Sequence, residues 1–73
     1  MKEKIYTLLT EEFPDIDFNE TGLIDNGILD SINLVEIISC LSMEFGVEIP
    51  YEEIIPDNFN SVQEIADLLE RIK

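Results

Sequence analysis

The chain has no histidine, no tryptophan, one cysteine and only four basic residues in 73. Each scarcity removes a class of function. Without histidine there is no side chain that ordinarily changes charge near neutrality, and the commonest general base and metal ligand is gone. Cys40 alone cannot close an internal disulfide, and with no basic partner it has nothing to activate it as a nucleophile. Inside an apolar periodic run it reads as a small buried or boundary side chain. No apolar run approaches the roughly 20 residues of a membrane span. The opening stretch MKEKIYTLLTEEF turns acidic where a secretion signal would turn apolar, so a cytoplasmic location is expected. No catalytic residue and no metal-ligand set is assigned.

The shortage of bases also shapes the surface. Seventeen acids give a formal net charge of −13, and all positive side chains sit at Lys2, Lys4, Arg71 and Lys73, so no base falls between Ile5 and Glu70. Such a field repels nucleic acid and anionic membrane and steers toward basic protein surfaces. An apolar fraction of 45% and a mean hydropathy of +0.08 place the chain among folded domains and not among acidic tails. A chain of this length builds one small core with no room for an enclosed substrate chamber, so residues 1–73 are expected to form a single, monomeric domain.

What remains is helical periodicity. Ile5, Leu8, Leu9 and Phe13 recur at helical spacing and predict an amphipathic helix over 3–12, stopped by Pro14. The segment 15–30 is long for a loop in a small helical domain, which points to a loop packed by its own side chains or carrying function. Leu23, Ile24, Ile28 and Leu29 are its expected anchors, with Gly22 and Gly27 relaxing the backbone between them. A second helix is expected over 31–45, with Asp30 a candidate cap and Gly46 a stop. Its core stripe is read as Leu34, Ile38, Leu41 and Phe45, bordered by Ile37. Pro56 is placed to open one short turn through Phe59. A capping box of Ser61 and Glu64 begins the last helix, whose buried face is Val62, Ile65, Leu68, Leu69 and Ile72.

The acidic loop invites a test as a calcium site, because DIDFNETGLIDN places Asp15, Asp17 and Asn19 at alternating positions. An EF-hand then needs glycine sixth and glutamate twelfth, where this chain has Glu20 and Asn26. Both defining positions fail. A weak divalent site among crowded carboxylates stays as a third, calcium-responsive alternative.

Ser31 opens the second helix. A serine there is ordinarily a cap, yet Asp30 precedes it, so either residue could cap and the other is left for another task. Unpaired N–H groups and the positive end of the helix dipole favour a phosphate at this place. Counting from Ser31, the side of the helix away from the core stripe carries Ile32, Glu36, Ser39 and Met43 within about 60° of one another.

The stretch GILDSINLVEIISCLSMEFGVEIP resembles the acyl carrier protein family, whose signature is an Asp-Ser-hydrophobic tripeptide opening the second helix. The likeness extends over the first helix, the loop with GLIDNGILDS, Phe45, Glu48–Pro50 and the SVQEIADLL segment. It implies an all-α, four-helix acyl-carrier-like bundle with three main helices, one short helix and a long first loop. It further implies that Ser31 takes a covalent 4'-phosphopantetheine arm from coenzyme A through a phosphopantetheinyl transferase. Asp30 would contribute to recognition by that enzyme and to its magnesium-dependent chemistry. The arm's thiol would bear acyl or aminoacyl groups as thioesters between partner enzymes, so the chain is a carrier and not a catalyst. Ile32, Glu36, Ser39 and Met43 would meet basic docking surfaces on acyl- or amino-acid-activating enzymes, synthases or acyltransferases. Asn33, where fatty-acid carriers commonly have aspartate, and Ser42-Met43 in place of a late acidic cluster leave the cargo open. The IIPDNF segment looks more like discrete carriers of specialised acyl or aminoacyl pathways. The alternative of a different class is a noncovalent acidic interaction module with no prosthetic group.

Overall fold

The computed structural model describes Met1–Ile72. Three α-helices, α1 (Lys2–Glu12), α2 (Ser31–Phe45) and α3 (Val62–Ile72), carry the fold, with 3-10 turns at Tyr51–Glu53 and Pro56–Asn58. Two short turns therefore occupy the segment for which the sequence suggested one. The first was missed because a three-residue 3-10 turn leaves no apolar periodicity to read. Pro50 precedes it in extended backbone, and Pro56 opens the second at its first position.

The helices form for local reasons and are held by shared burial. In α1, Ile5 and Leu9, one helical turn apart, are fully buried. The helix ends at Glu12, where Phe13 departs from helical geometry before Pro14 and stacks edge-on against Phe18, with ring centroids 6.5 Å apart. In α3, Val62, Ile65, Ala66, Leu68 and Leu69 are buried while Gln63, Asp67 and Glu70 face solvent. The Ser61 hydroxyl accepts from the Glu64 N–H at 3.1 Å, capping this helix as its sequence suggests, and donates to Glu64 Oε1 at 3.0 Å, so Glu64 reaches back to the Ser61 hydroxyl and not to the backbone N–H of a full capping box. Helices α1 and α3 make the most extensive contact between elements.

The core stripe of α2 needs correction. Ile37 and Leu41 are fully buried, whereas Leu34, Ile38 and Phe45 are half-buried against the cluster. Ile37 is thus a centre of the stripe and not its border. Five apolar residues qualify by spacing, and only the position of the loop and α3 decides which of them are covered completely. Gly46 ends the helix in the left-handed conformation, φ 61°, where a side chain would be strained.

The long loop is packed and pinned. Leu23 and Leu29 enter the core as anticipated, with Ile24 and Ile28 half-buried, and Phe18 joins them although the sequence reading did not single it out. The pin is Asn60. Its backbone carbonyl accepts from Leu23 N–H at 2.8 Å, and its side-chain Oδ1 accepts from Ile24 N–H at 2.9 Å and Asp25 N–H at 3.0 Å. Its Nδ2 donates to Asp25 Oδ2 at 3.2 Å. A buried amide satisfied on both sides can fix a loop without leaving an unpaired polar group. Gly22 lets the loop turn here, with φ 64° and only 2.6 Å between a hypothetical Cβ and Asn26 Nδ2.

Candidate functional site: the amino-terminal end and outer face of α2

The loop delivers the chain to the start of α2 in a defined way. Asn60 holds residues 23–25, the Leu29 N–H returns to the Leu23 carbonyl at 2.8 Å, and Leu29 buries itself immediately before Asp30. At that point a reciprocal cap forms. Asn33 N–H donates to the Asp30 carboxylate at 2.8 Å, and Asp30 N–H donates to Asn33 Oδ1 at 3.3 Å. The choice left open by sequence is thereby made: Asp30 is the cap. Ser31 is the first helical residue, exposed, and takes no part in the cap.

This division of labour suits the end of a helix. A carboxylate satisfies one backbone donor and complements the dipole, while the neighbouring hydroxyl stays in solvent beside backbone N–H groups that lack helical acceptors. The first turn of α2 contains no acidic residue. Within the helix's own first turn a phosphodiester on Ser31 would therefore meet no carboxylate beyond that of the cap, Asp30. Asn33, noted from sequence as a departure from aspartate, has a positive role as the third-position half of the cap. The Asp-x-x-Asn spacing was the available signal for it.

Along the helix, Ile32, Glu36, Ser39 and Met43 are all exposed, and the helical period places them on one face. Val35 belongs with them and was missed: it is 67% exposed, beside Ile32 at 71% and Met43 at 84%. A wheel drawn from Ile32 puts Val35 about 60° away on the flank opposite Glu36. Ile32 and Val35 sit one turn apart near the start of the helix and Met43 about two turns further on, so three bare apolar side chains lie on one side of a 15-residue helix.

Cys40 is half-buried on the flank of this face, and burial together with the Glu12 and Glu44 carboxylates pushes its thiol above the ordinary value. The thiol is thus held protonated near neutral pH, which slows its reactions without closing it to solvent. Among the described residues no three carboxylate or thiol groups converge as a metal cluster would. No helix there is long and apolar enough to cross a membrane.

With this geometry in place, comparison with known proteins is direct. The family model described as "Phosphopantetheine attachment site" matches residues 3–69. An acyl carrier protein of Buchnera aphidicola subsp. Baizongia pistaciae is 31% identical, covering 97% of this chain and 92% of the relative. A D-alanyl carrier protein of Bacillus pumilus is 27% identical over 99% of this chain and 96% of its own length, and one of Streptococcus thermophilus is 29% identical over 92% and 87%. No solved structure matches the chain. The chain belongs to the family of carrier proteins with a phosphopantetheine attachment site. Within that family it is similar both to acyl and to D-alanyl carriers.

Proposed function

We propose that residues 1–73 act as a cytoplasmic, monomeric carrier whose attachment point is Ser31. The observation that carries this reading is the Asp30–Asn33 cap, which leaves the Ser31 hydroxyl in solvent at a helix end suited to a phosphate. The other three serines are less suited: Ser61 is engaged with Glu64, Ser42 is half-buried, and Ser39 lies in mid-helix away from unpaired N–H groups.

Ser31 Oγ would form the phosphodiester by attacking the pantetheine-side phosphorus of coenzyme A, losing its proton and displacing adenosine 3',5'-bisphosphate, with a phosphopantetheinyl transferase as catalyst. When bound, 4'-phosphopantetheine supplies a terminal thiol for thioester formation at the end of a long arm. The chain's own residues do the remaining work. Asp30 keeps the helix end intact and offers a carboxylate to the transferase; Glu36 pairs with a basic partner residue, and Ile32, Val35 and Met43 bury area beside it, with Ser39 between them. No residue of the chain is assigned to catalysis. The cargo is an acyl or aminoacyl group supplied by an activating enzyme, and the likeness to acyl and D-alanyl carriers supports both classes.

Mass spectrometry after incubation with a phosphopantetheinyl transferase and coenzyme A tests the reading. The expected result is one phosphopantetheine increment on the wild type and complete loss of it in Ser31→Ala, with an unchanged melting curve. An increment that survives in Ser31→Ala would move the attachment elsewhere. No increment with several competent transferases would leave the noncovalent acidic module as the better account. Loading of the modified protein by an acyl-activating or an amino-acid-activating enzyme then separates the two cargo classes.

A further inference from the structure

The outer face of α2 does not end at Met43. There it meets a groove between α1 and the second half of α2, formed by two adjoining hollows of about 450 and 350 Å³ that share Leu8 and Glu44. Leu8 and Phe45 supply an apolar floor, Met43 an apolar edge and Cys40 a half-buried wall. A third hollow, lined by Met1, Lys4, Phe45, Val47 and Leu69 of α3, adjoins it at the Met1 end. From Glu12 back to Met1 the groove runs the length of α1, about 16 Å at the helical rise, or three turns of a helix laid alongside.

Its charge is unevenly placed. Glu11, Glu12 and Glu44, all exposed, crowd one end, while Glu3 and Lys4 offset each other toward the other. Among the described residues no Lys or Arg lines the hollow that holds Glu12, Cys40 and Glu44. Among the described residues Arg71 is committed to Glu53 at 3.1 Å, the sole ion pair there, and Lys4 lines the opposite end. A second copy of this acidic chain would bring like charge to the same place.

From the apolar floor, the three-turn length and the uncompensated acidic end, we infer that the α1–α2 groove receives an amphipathic helical segment of a partner protein, apolar on one side and carrying Lys or Arg where it meets Glu11, Glu12 and Glu44. The segment packs as a further helix against two existing ones, and the cations orient it end to end. Met43 is shared with the outer face of α2, so such a partner reaches the Ser31 end along one continuous surface. Only this last placement rests on the carrier reading; occupation of the groove does not.

The test uses the full, unmodified chain and a synthetic three-turn peptide with a leucine stripe and a lysine cluster at one end. The expected result is saturable binding, with backbone amide shifts changing chiefly at Leu8, Glu11, Glu12, Cys40, Met43 and Glu44. Alkylation of Cys40 slows as the groove fills. Changing Glu11, Glu12 and Glu44 together to Gln weakens binding about tenfold, a size expected of three partly screened surface charges. Changing the exposed Glu20, Glu48 and Glu52 to Gln, the same loss of charge elsewhere, alters it less than about twofold. Equal weakening by both triple variants, shifts centred on Ile32, Val35 and Glu36, or no saturable binding would each overturn the inference. Transferase loading of the unsubstituted chain is read separately, so absence of loading with intact peptide binding would count against the carrier reading and leave the groove standing.

Discussion

Helices α2 and α3 are both amphipathic, yet they dispose of their apolar residues in opposite ways. Over 11 residues α3 buries five apolar side chains and turns polar groups outward. Over 15 residues α2 fully buries only Ile37 and Leu41 and leaves Ile32, Val35 and Met43 bare. Burial of each large aliphatic side chain is worth ~1.5–3 kcal/mol, so α3 contributes more to the hold of the fold than any other helix, while α2 leaves apolar area in solvent. The same helix that forgoes burial carries the exposed serine at its capped end. A partner's contact with the outer face of α2 need not disturb the core, because the core is built on its other side.

The contrast is most easily broken from the α3 side. Leu68→Ala removes a fully buried side chain and is expected to destabilise the fold by about 2–5 kcal/mol in urea denaturation; a loss below about 1 kcal/mol would mean that α3 is not the anchor described. Next in size is Asn60→Ala. It removes the side-chain acceptor of Ile24 and Asp25 N–H, and a loss of about 1–3 kcal/mol is expected from leaving part-buried donors unpaired. Faster amide exchange at Ile24 and Asp25 should accompany it, and unchanged exchange there would show that another contact holds the loop.

On α2 the expectation reverses. Ile32→Ser, Val35→Ser and Met43→Ser should each shift stability by no more than about 0.5 kcal/mol, while weakening capture by an enzyme that loads the carrier. A large stability loss in any of them would place that residue in the core and remove it from the docking face.

The smallest effect concerns Cys40. Its native proton affinity is raised, so below the ordinary value of 9.0 both folded and unfolded chains hold the proton and the native environment costs nothing through this group. Above 9.0 the unfolded thiol ionises first, the folded chain then binds more protons, and stability falls with rising pH. The urea midpoint should therefore drop between pH 8 and pH 10 by more in the wild type than in Cys40→Ala. Equal drops would assign the pH effect to other groups.

Much of this molecule was legible from residue order. The limits of α2 follow from Asp30 and Gly46, and the start of α3 from Ser61 and Glu64, because capping depends on residues within one turn. Ser31 stood out for the same local reason, and Ile32, Glu36, Ser39 and Met43 emerge exposed where the helical period put them away from the core. Val35 escaped notice because the strip was drawn too narrowly, and Phe18 because a lone aromatic in a loop has no period to reveal it. The first 3-10 turn was equally silent.

The sequence by itself therefore determined an all-α, strongly acidic chain, the limits of its second helix and the start of its third, and a serine at a helix start, since each depends on neighbours within a few positions or on totals. Tertiary structure decided that Ile37 is central to the core and that Asn60 fastens a loop 35 residues away. It also decided that α1 and α2 leave an acid-ended groove between them, whereas the use of Asp30 rather than Ser31 as the cap rests on Asn33 three residues on. The tertiary outcomes required distant segments to meet. Only the packed chain brings such surfaces together, because its burial and hydrogen bonding must be satisfied everywhere at once.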